Sequence, residues 1–168
     1  QGVESDYYTK LFSVAAPQTL KIADTEGAKL LAALKTGLDL VKPNKDELQN
    51  TLQQEFKTRE DLLKGCYSLL DKGAKRVLLS LGKRGAIITD GTKNYYCKSI
   101  NVAINSTLGA GDGMVAAAAM RMEQGAPLDE ILRAGVAAGT ATVTTFGQIS
   151  FTKEKFDEIY ANIKVEEF

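Results

Sequence analysis

The chain has 168 residues, 44% hydrophobic and 25% charged, which suits one folded domain with a sizeable core. Lys plus Arg and Asp plus Glu number 21 each, so the net charge is zero and an overall basic grip on nucleic acid is excluded. Histidine is absent, which removes imidazole acid–base work and His metal ligands within this chain. The two cysteines, Cys66 and Cys97, form no CxxC pair and favour a reducing compartment. No apolar run is long enough to cross a membrane, and the first residues lack a signal-peptide pattern, so no membrane association and a cytoplasmic location are expected.

In chain order, helical and strand patterns alternate. From Val3 to Ala16 the residues Tyr7, Tyr8, Leu11, Phe12 and Ala15 recur on one helical face, and Pro17 stops that helix. Leu20 to Ala23 reads as a short strand, Gly27 to Leu34 as a helix, and Leu38 to Val41 as a second strand ending at Lys42-Pro43-Asn44. A helix should follow Asn44, and another should run from Arg59 to Leu70. Arg76 to Leu81 is apolar in the way of a strand covered on both faces. Ala86 to Thr89 and Tyr95 to Lys98 read as strands joined at Asp90-Gly91. One of Tyr95 and Tyr96 should be core and the other surface. A small-residue helix is expected from Asp112 to Glu123, a second from Pro127 into a Thr-rich stretch, and a last one from Lys153 to Ile163. This alternation predicts an α/β domain with a mainly parallel sheet, in which ligands bind beyond the carboxyl ends of the strands.

The sharpest motif is Asn105 to Met114, in which Gly109, Gly111 and Gly113 alternate. Glycines let a backbone turn tightly and approach a ligand, and the alanines after Val115 propagate a helix. The turn therefore offers backbone N–H groups at a helix start, a site suited to phosphate. Asp112 sits in the first helical turn. It is either a helix-start carboxylate favoured by the macrodipole or a base that takes a proton from an alcohol attacking a phosphoryl group. The spacing is neither a P-loop nor a dinucleotide fingerprint.

Asn44 and Glu47 have the spacing of a capping box. The capping box is the stronger reading, and the same two residues could also reach Mg²⁺ or its waters, since that ion takes few protein ligands. Ser80, Gly82 and Gly85 follow a strand, either as a plain turn or as a turn over a nucleotide. Lys83 and Arg84 beside them read as solvated. Gly135 and Gly139, with alanines around them, permit close helix packing. An adenine ring could use the same smooth surface near Val136, Gly139 and Thr140.

Taken in order, IADTEGAKL, LVKPNKDEL, LLSLGKRGA and INSTLGAGDGMVAAAA resemble the PfkB (ribokinase-like) family of carbohydrate kinases, from about Leu20 to Gln148. The INST lead resembles its sugar-phosphate branch, which includes 1-phosphofructokinase, tagatose-6-phosphate kinase and the minor 6-phosphofructokinase. The resemblance implies a ribokinase-like, Rossmann-like three-layer α/β/α fold with a mainly parallel sheet. It implies one nucleotide-binding domain over residues 1–168, the C-terminal half of a kinase whose sugar-binding and lid portion is absent. The implied reaction moves the γ-phosphoryl group of ATP to a sugar-phosphate hydroxyl, foremost fructose 1-phosphate to fructose 1,6-bisphosphate. By the same resemblance Asp112 is the catalytic base, and the amides of Gly109, Ala110 and Gly111 form the anion hole. Lys42 and Asn44 lie near the phosphates, Ser80, Gly82 and Gly85 form the nucleotide turn, and Asn44 and Glu47 serve Mg²⁺. A monovalent cation such as K⁺ is implied near the Ser106 and Leu108 backbone. Gly113 departs from the Ser common in this branch. The partners implied are ATP and a phosphorylated sugar, with a homodimer for the full-length enzyme and a monomer for this fragment. A nucleotide- or phosphate-binding module without catalysis is the rival from another class.

Overall fold

The computed structural model describes residues 4, 6–146 and 151–168. Val3, where the first predicted helix opens, and Gln148, where the family-like stretch closes, lie outside the described residues. The elements are α1 (Tyr7–Ser13), β1 (Ile22–Ala23), α2 (Gly27–Leu34), β2 (Leu40–Val41), α3 (Lys45–Leu52), α4 (Arg59–Asp71), β3 (Val77–Ser80), a 3₁₀ turn (Gly82–Arg84), β4 (Ala86–Thr89), β5 (Asn94–Cys97), α5 (Ala110–Glu123), α6 (Leu128–Val143), α7 (Lys153–Asn162) and β6 (Val165–Glu167). The strands form one six-stranded sheet in the order β1-β2-β3-β4-β5-β6. β1 pairs parallel with β2 and β2 parallel with β3, whereas β5 and β6 pair antiparallel. This is the α/β architecture expected from the alternation of elements.

The chain divides into two compact units, one of residues 1–79 and 89–92, the other of residues 80–88 and 93–168. In the first unit the β1–β2 register sets Ile22 opposite Leu40 and Ala23 opposite Val41. Leu40, Val41, Val77, Leu78 and Leu79 are fully buried, which explains why these strands read as unbroken apolar runs. Leu30 and Leu34 of α2, Leu38, Leu48 of α3 and Leu62 and Leu69 of α4 are buried as well. Asp39 accepts from the Lys21 amide at 2.9 Å and from Lys75 Nζ at 2.8 Å. Gly73 closes the turn after α4: its φ is +120°, and a Cβ there would stand 2.2 Å from the Leu34 carbonyl oxygen.

Helix α1 is the largest departure from expectation in this unit. It spans only Tyr7–Ser13 and buries no residue, so its apolar face is not a core face. Tyr7 and Leu11 are half exposed. The ring contacts run instead along the helix, from Tyr7 edge-on to Tyr8 and from Tyr8 stacked on Phe12.

In the second unit α5 and α6 pack through small residues. A Cβ on Gly139 would lie 3.2 Å from the Ala110 carbonyl oxygen. The close-packing reading of the α6 glycines therefore holds at Gly139. Ala117, Ala134 and Ala138 form a buried cluster against which Phe151, Phe156 and Tyr160 pack. Arg133 stacks over the Tyr160 ring, with its guanidinium carbon 4.3 Å from the centroid, and its Nε donates to the Tyr160 carbonyl at 3.1 Å. Tyr160 also donates its phenol to Glu130. Neither Tyr95 nor Tyr96 is core: both are partly exposed, and the buried residue of β5 is Cys97. Strand β6 was not expected; its Val165-Glu166-Glu167 run is too short and polar to carry a strand pattern, and pairing with β5 defines it.

Candidate active site

Each unit contributes a set of candidate residues. In the first, Lys42 is the residue immediately after β2, and its N–H donates to the Ala23 carbonyl at 3.1 Å. Its side chain is buried, and Nζ lies 3.2 Å from Asp24 Oδ2. Asn44 caps α3. Its Oδ1 accepts from the Glu47 amide at 2.9 Å, and Glu47 Oε2 accepts from the Asn44 amide at 2.7 Å. The capping reading is thus realised on both sides. The box occupies Asn44 Oδ1 and Glu47 Oε2. Glu47 Oε1 is the remaining carboxylate oxygen, so the donor set suits an ion that keeps most of its waters.

In the second unit a cleft of about 470 Å³ gathers most of the other candidates. Ser80, Gly82, Gly85, Ala110, Gly111, Val136, Gly139 and Thr140 all lie on its wall. They come from the end of β3, the 3₁₀ turn, the start of α5 and the middle of α6. Ile100, Val102, Ile104, Met114 and Val143 make it largely apolar, and Ser99, Asn101, Thr107 and Lys83 add polar groups. Apolar walls with a few placed polar atoms, at this volume, are what a small-molecule site requires. Ser99 and the buried Thr140 pair their hydroxyls at 3.3 Å.

The turn after β3 is built on glycine. Gly82 has φ +58° and Gly85 φ +92°, and a Cβ on Gly85 would stand 1.8 Å from the Cys97 carbonyl oxygen. Leu81 N–H closes the turn on the Gly85 carbonyl at 2.8 Å. Cys97, behind it, is buried, and burial pushes its thiol up to about 12, with the negative charge of Glu166 adding to the rise and Arg133 opposing it.

The glycine-rich turn places Gly109 as the N-cap of α5 with φ +76°, a conformation glycine adopts at little cost. Asp112 lies in the first helical turn, as expected, and is exposed. The cleft wall includes Ala110 and Gly111 but not Asp112 or Gly109. Of the three amides expected to form an anion hole, Ala110 N–H already donates to the Thr107 carbonyl at 3.3 Å. The Gly111 and Asp112 amides have no helix carbonyl behind them, as in any first turn.

Sequence reasoning missed the segment from Ser99 to Ile104, which forms one wall. Its alternation of Ile100, Val102 and Ile104 was a visible signal of an extended stretch with one apolar side. It also set Lys83 aside as solvated; Lys83 is exposed and lines the cleft as well.

A family model described as "pfkB family carbohydrate kinase" matches residues 1–155. The ATP-dependent 6-phosphofructokinase isozyme 2 of Escherichia coli is 37% identical over 95% of this chain and 53% of its own length. The 1-phosphofructokinase of Borreliella burgdorferi is 31% identical over 96% of this chain and 52% of its own length. Among solved structures, phosphofructokinase-2 from Escherichia coli in complex with potassium superposes with a TM-score of 0.87 at 37% identity, covering 95% of this chain and 53% of that one. The chain therefore spans about half the length of the relatives it matches.

Proposed function

Because this chain belongs to the pfkB family of carbohydrate kinases, we propose that it is the nucleotide-binding part of an ATP-dependent kinase acting on a fructose monophosphate. The observation that carries this reading is the cleft of the second unit, where three separate stretches of sequence deliver Ser80, Gly82, Gly85, Ala110, Gly111, Val136, Gly139 and Thr140 to its lining. The adenine ring takes the apolar side formed by Ile100, Val102 and Val136. The phosphates run toward Gly111 and the positive end of α5. Lys42 belongs with the phosphates in this reading.

In the reaction, Asp112 accepts the proton of the sugar hydroxyl as that oxygen attacks the γ-phosphorus. The bond from phosphorus to the bridging oxygen breaks, and ADP leaves. Backbone amides at the start of α5 hold the charge that builds on the transferring group. The Ala110 amide joins them only by leaving the Thr107 carbonyl. Mg²⁺, when bound with the nucleotide, neutralises phosphate charge; Asn44 and Glu47 are the residues that serve it. A monovalent cation is supported by the potassium complex of the Escherichia coli neighbour, and this reading puts it at the Ser106 and Leu108 backbone. The acceptor is fructose 1-phosphate or fructose 6-phosphate, the substrates named by the two relatives.

Calorimetric titration with MgATP tests the nucleotide site, and phosphoryl transfer to each fructose monophosphate tests the reaction. Binding of ATP that survives Asp112→Asn while phosphoryl transfer falls supports the reading. Transfer unchanged in Asp112→Asn removes Asp112 as the base. Heat with inorganic phosphate but none with adenosine or ATP favours a phosphate-binding module instead.

A further inference from the structure

Asn105, which opens the glycine-rich stretch, has no part in the reaction above. Helix α6 ends at Val143, and its last carbonyls have no helical amide ahead of them. Asn105 supplies donors to two carbonyls there. Its backbone N–H donates to the Val143 carbonyl at 2.8 Å, and its Nδ2 donates to the Thr144 carbonyl at 2.7 Å. The Ser106 N–H also reaches the Val143 carbonyl, at 3.4 Å. One residue thus grips two successive carbonyls, and a slip of the loop by one position breaks both bonds. Any residue but proline can make the first bond; the second needs a short side chain that carries an N–H donor, which asparagine has.

We propose that Asn105 is a positioning residue for nucleotide binding: its two bonds to the end of α6 fix the loop side of the cleft against the helix side. Asn105 is exposed and does not line the cleft, yet the parts it ties together do. Ile104 and Thr107 line it from the loop, and Val136, Thr140 and Val143 line it from α6. All of them belong to the second unit. Ile104 is 45% exposed, so burial does little to hold this stretch and the hydrogen bonds carry that task. The proposal rests on the nucleotide reading above and adds to it a residue that does not touch the nucleotide. Without the Nδ2 donor the loop lifts in part of the molecules, and apparent affinity falls in proportion to the fraction that still presents a formed cleft. That loss falls on adenosine and ATP alike, because both need the same two sides in place.

Calorimetric titration with ATP and with adenosine tests this, in one potassium-containing buffer and far below the unfolding transition. Asn105→Ala is expected to weaken both ligands by a similar factor of about fivefold, the scale of one neutral hydrogen bond. Asn105→Asp matches asparagine in size but has no N–H, so it should bind adenosine no better than Asn105→Ala does. Asn105→Gln keeps the donor one methylene further out and should bind between Asn105→Ala and the parent chain. A residue that merely caps α6 would lower the unfolding temperature and leave both affinities alone, and that result overturns the proposal. Parent-like adenosine binding by Asn105→Asp overturns it too, as does an effect on ATP that adenosine does not share. Should Asn105→Ala not fold, Asn105→Asp and Asn105→Gln are compared, and equal adenosine binding by the two overturns the proposal. If the parent chain binds neither ATP nor adenosine, the nucleotide reading falls and this proposal with it. If the parent chain binds both and the variants match it, only this proposal falls.

Discussion

A Cβ atom on Gly113 of α5 would stand 2.7 Å from the Thr142 hydroxyl of α6, which donates to the Ala138 carbonyl at 2.8 Å. The absence of a side chain at position 113 is thus a packing requirement of the α5–α6 contact. Gly113→Ala gains about 0.5–1 kcal/mol from the helix backbone, yet overpacking costs about 1–3 kcal/mol, so net destabilisation is expected. Thr142→Ala on the same chain removes the clashing hydroxyl and should restore stability to Gly113→Ala. Thermal unfolding of both single variants and the double variant measures this; simple additivity would deny the contact.

Gly82 and Gly85 separate backbone strain from collision within one turn. Both have positive φ, but a Cβ on Gly82 meets nothing within 4 Å while one on Gly85 meets the Cys97 carbonyl oxygen at 1.8 Å. Gly82→Ala should therefore cost about 1 kcal/mol, the price of a left-handed alanine. Gly85→Ala must displace β5 and should cost about 3 kcal/mol or more, or prevent folding. Chemical denaturation of the two variants gives the comparison. Equal costs would mean that the backbone yields at Gly85.

The elements that were legible in the sequence carry their reasons locally. Helix α2 was read at its observed bounds, and α3 was anticipated from its cap, because Asn44 and Glu47 write the capping box into four residues. The runs at Leu78 and Ile87 are apolar because they are buried, so burial could be inferred. What stayed hidden depends on distant partners. Helix α1 has an amphipathic pattern but none of its residues is fully buried, and periodicity reports a face rather than how deeply it is covered. Strand β6 exists through its pairing with β5. In the cleft, glycine-marked residues were found because turns and close approach demand glycine. Met114, Val143 and the Ser99–Ile104 wall were not, because an apolar residue facing a ligand looks the same in sequence as one facing the core.

Both thiols should be silent in the folded protein. Burial pushes Cys66 from 9.0 up to about 12, and Cys97 also rises to about 12, chiefly through burial. A thiol-specific reagent at pH 8 is expected to label neither until denaturant is added. The same shifts fix the direction of an alkaline effect. An acid whose folded value is raised contributes stability that is complete below pH 9.0, the ordinary value. Between there and about 12 the unfolded thiols lose protons that the folded ones keep, so stability falls as pH rises. Cys66→Ala should make that fall shallower. Labelling of the native chain at pH 8 would contradict the burial.

The structural role of Asn44 and Glu47 can be tested separately from the metal role proposed for them. The box uses the Asn44 side-chain oxygen and one Glu47 oxygen, so Asn44→Ala should lower stability by about 1 kcal/mol through loss of the cap. Glu47→Gln keeps an acceptor for the Asn44 amide, and glutamine serves a capping box as glutamate does. Its unfolding temperature should therefore stay close to that of the parent chain. Its charge, however, is gone, and a carboxylate that orders the waters of Mg²⁺ has no amide equivalent. The expected result is a Glu47→Gln variant of ordinary stability in which Mg²⁺ improves ATP binding about tenfold less than in the parent chain. Titrating ATP with Mg²⁺ and again with a chelator gives that increment directly. An increment untouched by Glu47→Gln would confine Glu47 to holding the first turn of α3.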